Sequence, residues 1–135
     1  MPKIQHDNIT FDSQEEVDFY EWLKEAKDLK IVNSFEYKPC TYIIIPKQRI
    51  SDKYSLREYN YTPDFKIQFN MTYAGKILID LLKFFKILPD LHVDVKGTFS
   101  RFSDDTKFSI TQKAMMFING IWVAKIIPEK LFLKT

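Results

Sequence analysis

Two segments share one alternation, and that shared phase most limits the folds open to this chain. In YTPDFKIQF, residues 61–69, Phe65, Ile67 and Phe69 fall on one side, and Asp64, Lys66 and Gln68 on the other. In LHVDVKG, residues 91–97, Leu91, Val93 and Val95 oppose His92, Asp94 and Lys96. Residues two apart on a strand point to the same face. Each segment therefore reads as a strand with an apolar face and a polar face led by an aspartate. Pro63 fixes the start of the first, where no ladder donor is needed. Gly97 ends the second.

The other elements fall around these strands. FDSQEEVDFYEWLKEAKDL opens a helix capped by Asp12 or Ser13, and Ser13-x-x-Glu16 fits a capping box. Phe19, Trp22, Leu23 and Ala26 form its apolar stripe; Glu16 lies at one edge of that stripe and Glu15 near the other. KIVNSFEYKP and TYIIIP read as strands, and KQRISDKYSLREYN, residues 47–60, as a long polar loop. GKILIDLLKFFKIL is an amphipathic helix, TKFSITQKAMMFI a second, and IWVAKII a last strand. The expected fold class is α/β: a central mixed β-sheet flanked by helices. Residues 1–135 form a single domain with a helical insertion at about 71–90.

Composition removes several function classes. Apolar residues make up 45% of the chain, and the net charge is only +2, so there is no general basic signature. The lone Cys40 excludes an intramolecular disulfide and a multi-cysteine zinc site. Two histidines, His6 and His92, without ligand spacing argue against zinc generally. Three glycines leave no glycine-rich phosphate cradle, which disfavours a small phosphorylated substrate. The N-terminus lacks a signal-peptide core, and the longest apolar run is too short and too charged to span a bilayer. The expectation is a soluble, cytoplasmic protein with no membrane association.

If the two strands are neighbours, Asp64 and Asp94 open into one cleft. Lys96 lies two residues beyond Asp94, roughly 6.5–7 Å along the strand. Clustered carboxylate oxygens beside a lysine suit Mg²⁺, with Mn²⁺ as a substitute. YTPDF followed by DVKG resembles the PD-(D/E)XK nuclease superfamily. FDSQEEVDFYEWL and FEYKP look like a phage-type branch of small endonucleases similar to Holliday-junction resolvases. Unlike compact relatives, in which the two strands often form a nearly direct hairpin, this chain separates its aspartates by residues 65–93.

The resemblance implies a restriction-endonuclease-like core and Mg²⁺-dependent hydrolysis of DNA phosphodiesters, leaving a 5′-phosphate and a 3′-hydroxyl. It gives Asp64, Asp94 and the Val95 carbonyl to the metal, with Glu16 as the helix acid and Glu15 as its fallback. Lys96 positions the nucleophile, and Lys113, with Gln112 as a rival, contacts DNA phosphate. Branched DNA would need two cuts and hence a homodimer, with residues 76–88 as its interface. The setting would be the host-cell cytoplasm for a phage-encoded protein. The alternative is a catalytically inactive nuclease-fold protein that binds DNA or a protein partner.

Plainer roles compete at each position. Asp64 also suits a turn after proline, and Asp94 and Lys96 suit a solvated ion pair. Glu16 is explained by the capping box alone. Lys47, Arg49, Lys53 and Arg57 either grip phosphates or solvate a loop. Tyr54, Tyr59 and Tyr61 either stack on bases or cover the core edge. His92 reads as a structural histidine in preference to a proton carrier.

Overall fold

The structure is a computed structural model and describes residues 2–70, 90–97 and 102–131. The chain begins with a hairpin of β1 (Ile4–His6) and β2 (Ile9–Phe11). Its two-residue loop, Asp7 and Asn8, has φ of 50° and 63°. Both central residues lie in the left-handed region, as a type I′ turn requires, and Asp and Asn tolerate that region best after glycine. The polarity of this N-terminus, read above only as the lack of a signal-peptide core, does not by itself disclose the hairpin.

Helix α1 (Gln14–Asp28) starts where expected. Ser13 is extended, and its side chain accepts from Glu16 N at 3.2 Å. The return half of the capping box is displaced by one residue: Glu16 Oε1 accepts from Asp12 N at 3.1 Å. Val17, Phe19, Leu23 and Ala26 are buried. Ile31 N bonds Ala26 O beyond the helix end, and Lys30 turns the chain with a φ of 63°.

The central sheet has the order β10-β9-β8-β3. It comprises β3 (Val32–Tyr37), β8 (Phe65–Phe69), β9 (Asp90–Val95) and β10 (Val123–Ile126). β3–β8 and β8–β9 are antiparallel, whereas β9–β10 is parallel and crosses over through α2 (Phe102–Asn119). The sheet is mixed and carried with helices, as anticipated. A short α3 (Pro128–Leu131) follows β10. The helical insertion expected at about 71–90 lies outside the described residues, except for Asp90, which begins β9.

The polar stretch 47–60 is not a loop. β4 (Tyr42–Ile45) pairs antiparallel with β7 (Tyr59–Tyr61), and β5 (Gln48–Arg49) pairs with β6 (Ser55–Leu56) inside them. These are two separate two-stranded pairs, one nested inside the other, and together they make a ribbon interrupted at residues 46–47 and 57–58. Charge and low apolar content concealed it, because a ribbon with one solvated face needs few buried side chains.

Two cores cover the sheet. Phe11, Phe19, Leu23, Val32, Phe65, Ile67, Val93 and Val95 form the first, under α1. Ile44, Phe108, Met115 and Val123 form the second, joining the ribbon base, α2 and β10. Phe65 is fully buried, with its ring centroid 5.3 Å from Phe19 and 5.2 Å from Tyr37. Removing a ring in such a place forfeits its burial and leaves a cavity. Phe65→Ala is expected to cost about 3–5 kcal/mol, read as a lower midpoint in urea unfolding.

Candidate functional site

Register brings the two aspartates together. Phe65 pairs with Val93 across β8 and β9. One step further, Asp64 N donates to Val93 O at 2.9 Å, which sets Asp64 beside Asp94. Val95 N donates to Asp64 Oδ2 at 2.8 Å. Tyr61 Oη donates to Asp94 Oδ1 at 3.1 Å. Lys96 Nζ lies 2.9 Å from Asp94 Oδ2, an ion pair by distance. Apart from Lys96, that buried oxygen has no hydrogen-bond partner assigned among the described residues.

The polar face of β9 is not a solvated one. Both His92 and Asp94 are 6% exposed. Val93 and Val95 pack in the first core, so the strand is buried on both sides. A buried carboxylate beside another is costly. Burial, then the charges of Asp94 and Glu16, push the Asp64 carboxyl up from its ordinary 3.8 to about 8, against the pull of the Val95 N–H. Burial and the neighbouring Asp94 and Asp64 also drive the Tyr61 hydroxyl far above its usual range, so it stays a donor.

The helix acids divide their work. Glu16 is buried, and its Oε1 accepts from Tyr37 Oη at 2.5 Å besides capping Asp12 N. Its charge reaches Asp64, but Glu16, Asp64 and Asp94 do not close into a set of oxygens all within 4.8 Å. Glu15 takes the other edge. A Cβ on Gly97 would meet Glu15 Oε1 at 3.2 Å, so glycine there makes room for that carboxylate at the end of β9. Both acids thus approach the site, Glu16 by charge and Glu15 by contact with Gly97.

A cleft of about 280 Å³ opens beside Asp94 and Lys96. Tyr59, Asn60, Tyr61 and Thr62 wall it from the ribbon base, and Lys107, Phe108 and Thr111 from α2. Tyr59 Oη and Thr111 Oγ1 are 2.6 Å apart and tie the two walls. Lys96 Nζ sits 5.6 Å from the centre of the Phe108 ring.

The helix residues singled out from sequence do not line this cleft. Gln112 Nε2 donates to Val123 O at 2.7 Å, a tether to β10, and Lys113 is exposed, two residues beyond Thr111. Lys107 is the α2 cation at the cleft, and Tyr61 the hydroxyl on Asp94. The i, i+4 spacing of Lys107 and Thr111 beside Phe108 held that signal. Lys47, Arg49, Lys53 and Arg57 are exposed on the ribbon, away from the carboxylates. His92 bonds Tyr42 Oη through Nε2 at 2.8 Å and does not line the cleft.

Among the described residues, the set of three ligand-type side chains within 4.8 Å of one another is His6, Asp7 and Glu21. There Lys24 Nζ already lies 2.6 Å from Asp7 and 3.5 Å from Glu21, and His6 bonds Glu21. Those carboxylates already have polar partners at the surface.

The raised carboxyl makes stability depend on pH. Between about 4 and about 8 the native protein keeps a proton on Asp64 that the unfolded chain has lost. Stability in chelator therefore falls as pH rises through that window and levels off above it. Melting curves at pH 5 and pH 8 measure the fall, and Asp64→Asn is expected to shrink it.

Residues 1–82 match the model of a family described as a protein of unknown function (DUF1064). The matched span includes Glu16, Asp64 and the ribbon, and stops before Asp94 and Lys96. The chain is also 28% identical over 107 residues to the membrane-bound O-acyltransferase GUP1 of Saccharomyces cerevisiae; the match covers 78% of this chain and 19% of that protein. No helix among the described residues is long and apolar enough to cross a membrane. No solved structure matches the chain.

Proposed function

We propose that this chain, which belongs to the DUF1064 family, is a divalent-metal-dependent DNA endonuclease of the PD-(D/E)XK kind, with a restriction-endonuclease-like core. The observation that supports this most is the Asp64–Asp94 pair: a half-buried carboxylate just before β8 beside a buried one on β9, with Lys96 as the partner of Asp94 Oδ2.

The donor set fits a hard cation. Asp64, Asp94 and the Val95 carbonyl would hold Mg²⁺ or Mn²⁺, with Glu16 adding charge from α1. When bound, the ion supplies Lewis-acid polarisation of phosphate, a lowered pKa for water and neutralisation of developing charge. The chain's own groups do the rest. Tyr61 holds Asp94 in its rotamer through a 3.1 Å hydrogen bond. Lys96, 2.9 Å from Asp94, orients the attacking water and offsets charge on the phosphorane-like transition state. Lys107 faces the cleft where a neighbouring phosphate would lie. The products are a 5′-phosphate and a 3′-hydroxyl. Branched DNA, cut twice by a homodimer, is the favoured substrate; the segment 76–88 suggested as its interface lies outside the described residues.

A second reading draws on Glu16, whose Oε1 is already committed to Tyr37 and Asp12. On that reading the fold binds DNA or a protein partner without cutting. One panel separates the two: linear, branched and single-stranded DNA with Mg²⁺, Mn²⁺ or chelator. The nuclease reading expects metal-dependent cutting, abolished by Asp94→Asn and reduced on the order of 10²–10³-fold by Lys96→Ala. Binding without cutting in any metal favours the second.

Metal binding is also visible without catalysis. Mn²⁺ is expected to raise the melting temperature of the wild type at pH 8 and to leave Asp94→Asn nearly unchanged, as differential scanning fluorimetry would record. Equal shifts in both proteins would place the ion elsewhere.

A further inference from the structure

The ribbon is built for more than closing the cleft. Its base is fixed: Ile44 packs in the second core, Tyr61 bonds Asp94, and Tyr59 bonds Thr111. From that base the paired strands run out to a turn at residues 50–54 that is tied on itself. Ile50 N and Ser51 N both donate to Tyr54 O, at 2.9 and 3.1 Å. Ser51 Oγ accepts from Tyr54 N at 3.2 Å, and Arg49 pairs with Asp52 at 3.0 Å. The tip is therefore held in shape while its side chains stay in solvent: Ile50 is 64% exposed, Tyr54 71% and Leu56 46%.

Its charge is one-sided. Lys47, Arg49, Lys53 and Arg57 stand against Asp52 and Glu58, an excess of two positive charges that equals the net +2 of the whole chain. Asp52 is taken by Arg49, and Glu58 accepts from Asn60. Lys47, Lys53 and Arg57 have no ion-pair partner among the described residues. Lys47 precedes β5, Lys53 lies in the turn and Arg57 follows β6; a tip with bare cations along its length and exposed apolar side chains among them complements a groove flanked by phosphates and floored by base edges.

We infer that the ribbon is a DNA-reading arm that lies in the major groove of duplex next to the scissile phosphate. This rests on the nuclease reading for the cleft, but not for the binding. The major groove admits a two-stranded ribbon, and the minor groove is half as wide. From Tyr42 to Ser51 the arm reaches at most about 30 Å, close to one turn of B-DNA, about 34 Å. Lys47, Lys53 and Arg57 grip phosphates on the groove walls. Ile50 and Tyr54 press on base edges and thymine methyls. The substrate class that follows is DNA with about one turn of duplex on one side of the cut.

The test is fluorescence anisotropy in chelator, where nothing is cut, using labelled duplexes over a range of salt. Lys47→Ala/Lys53→Ala/Arg57→Ala is expected to weaken duplex binding at least about 10-fold. It should also flatten the log–log salt slope by about 0.9 for each phosphate no longer neutralised. All three side chains are exposed, and an unchanged melting curve verifies the fold. Lys47→Arg/Lys53→Arg should bind as the wild type does. Glucosylated cytosines, which fill the major groove, should block the wild type, whereas a minor-groove ligand should not. Wild-type affinity and slope in the triple variant would overturn the inference, as would competition by the minor-groove ligand alone. So would self-association abolished by Ile50→Ser/Tyr54→Ser in a protein that binds no duplex. Ribbon-dependent binding without cutting in any metal would keep the arm and sink the nuclease. Metal-dependent cutting untouched by the triple variant would do the reverse.

Discussion

The antiparallel register of β8 against β9 is the constraint on which the rest depends. Pairing Phe65 with Val93 fixes Asp64 next to Asp94. A one-residue slip would exchange the two faces of one strand, sending Val93 and Val95 out of the first core along with Asp94 out of the cleft. The core therefore enforces the site. Phe65, Val93 and Val95 bury apolar surface only in the register that also brings two carboxylates together. Hydrophobic burial supplies the large favourable energy, and the carboxylate pair is a smaller cost carried within it.

The surrounding elements either hold those carboxylates or limit what can approach them. The capping geometry of α1 sends Glu16 inward to Tyr37, and Tyr37 pairs with Phe65, the residue after Asp64. The ribbon contributes Tyr61 to Asp94 and walls the cleft. Gly97 lets Glu15 close over the end of β9. Each contact couples a local structural need to the site: a helix N-terminus, a ribbon anchor and a strand end. A change at any of the three would be felt at the carboxylates, at Tyr61 through its direct bond to Asp94.

What was legible in the sequence followed from periodicity. Alternation located β8 and β9 and phased both aspartates correctly. The capping pattern placed α1 to within a residue, and Glu16 at the edge of its buried face. What alternation could not show was burial on both faces of β9: His92 and Asp94 look like solvent-facing residues until the second core is known. The ribbon escaped for a related reason. Its strands are two to four residues long and paired by local hydrogen bonds, leaving little hydrophobic pattern to read. The β1–β2 hairpin was announced only by Asp7-Asn8 between two short alternations, Ile4-Gln5-His6 and Ile9-Thr10-Phe11. Choosing Lys107 over Lys113 needed the angular position of α2 against the sheet, which its own sequence does not fix.

On the proposed reading, a cation would suit the resting electrostatics of the site for reasons separate from any resemblance. Asp64 holds a proton at neutral pH because burial and two neighbouring charges oppose its ionisation. Asp94 Oδ1 accepts from Tyr61, and Lys96 alone stands against Oδ2. A divalent ion at these oxygens would expel the Asp64 proton and relieve Lys96 of balancing Asp94, leaving its ammonium to act on water or phosphate. The contrast with His6, Asp7 and Glu21 makes the point. That cluster is tighter, yet Lys24 and the histidine already satisfy it at the surface, so an ion there would have to displace partners already in place. Proximity of carboxylates alone does not make a metal site; carboxylates left incompletely balanced by a fold that cannot move them apart come closer to making one.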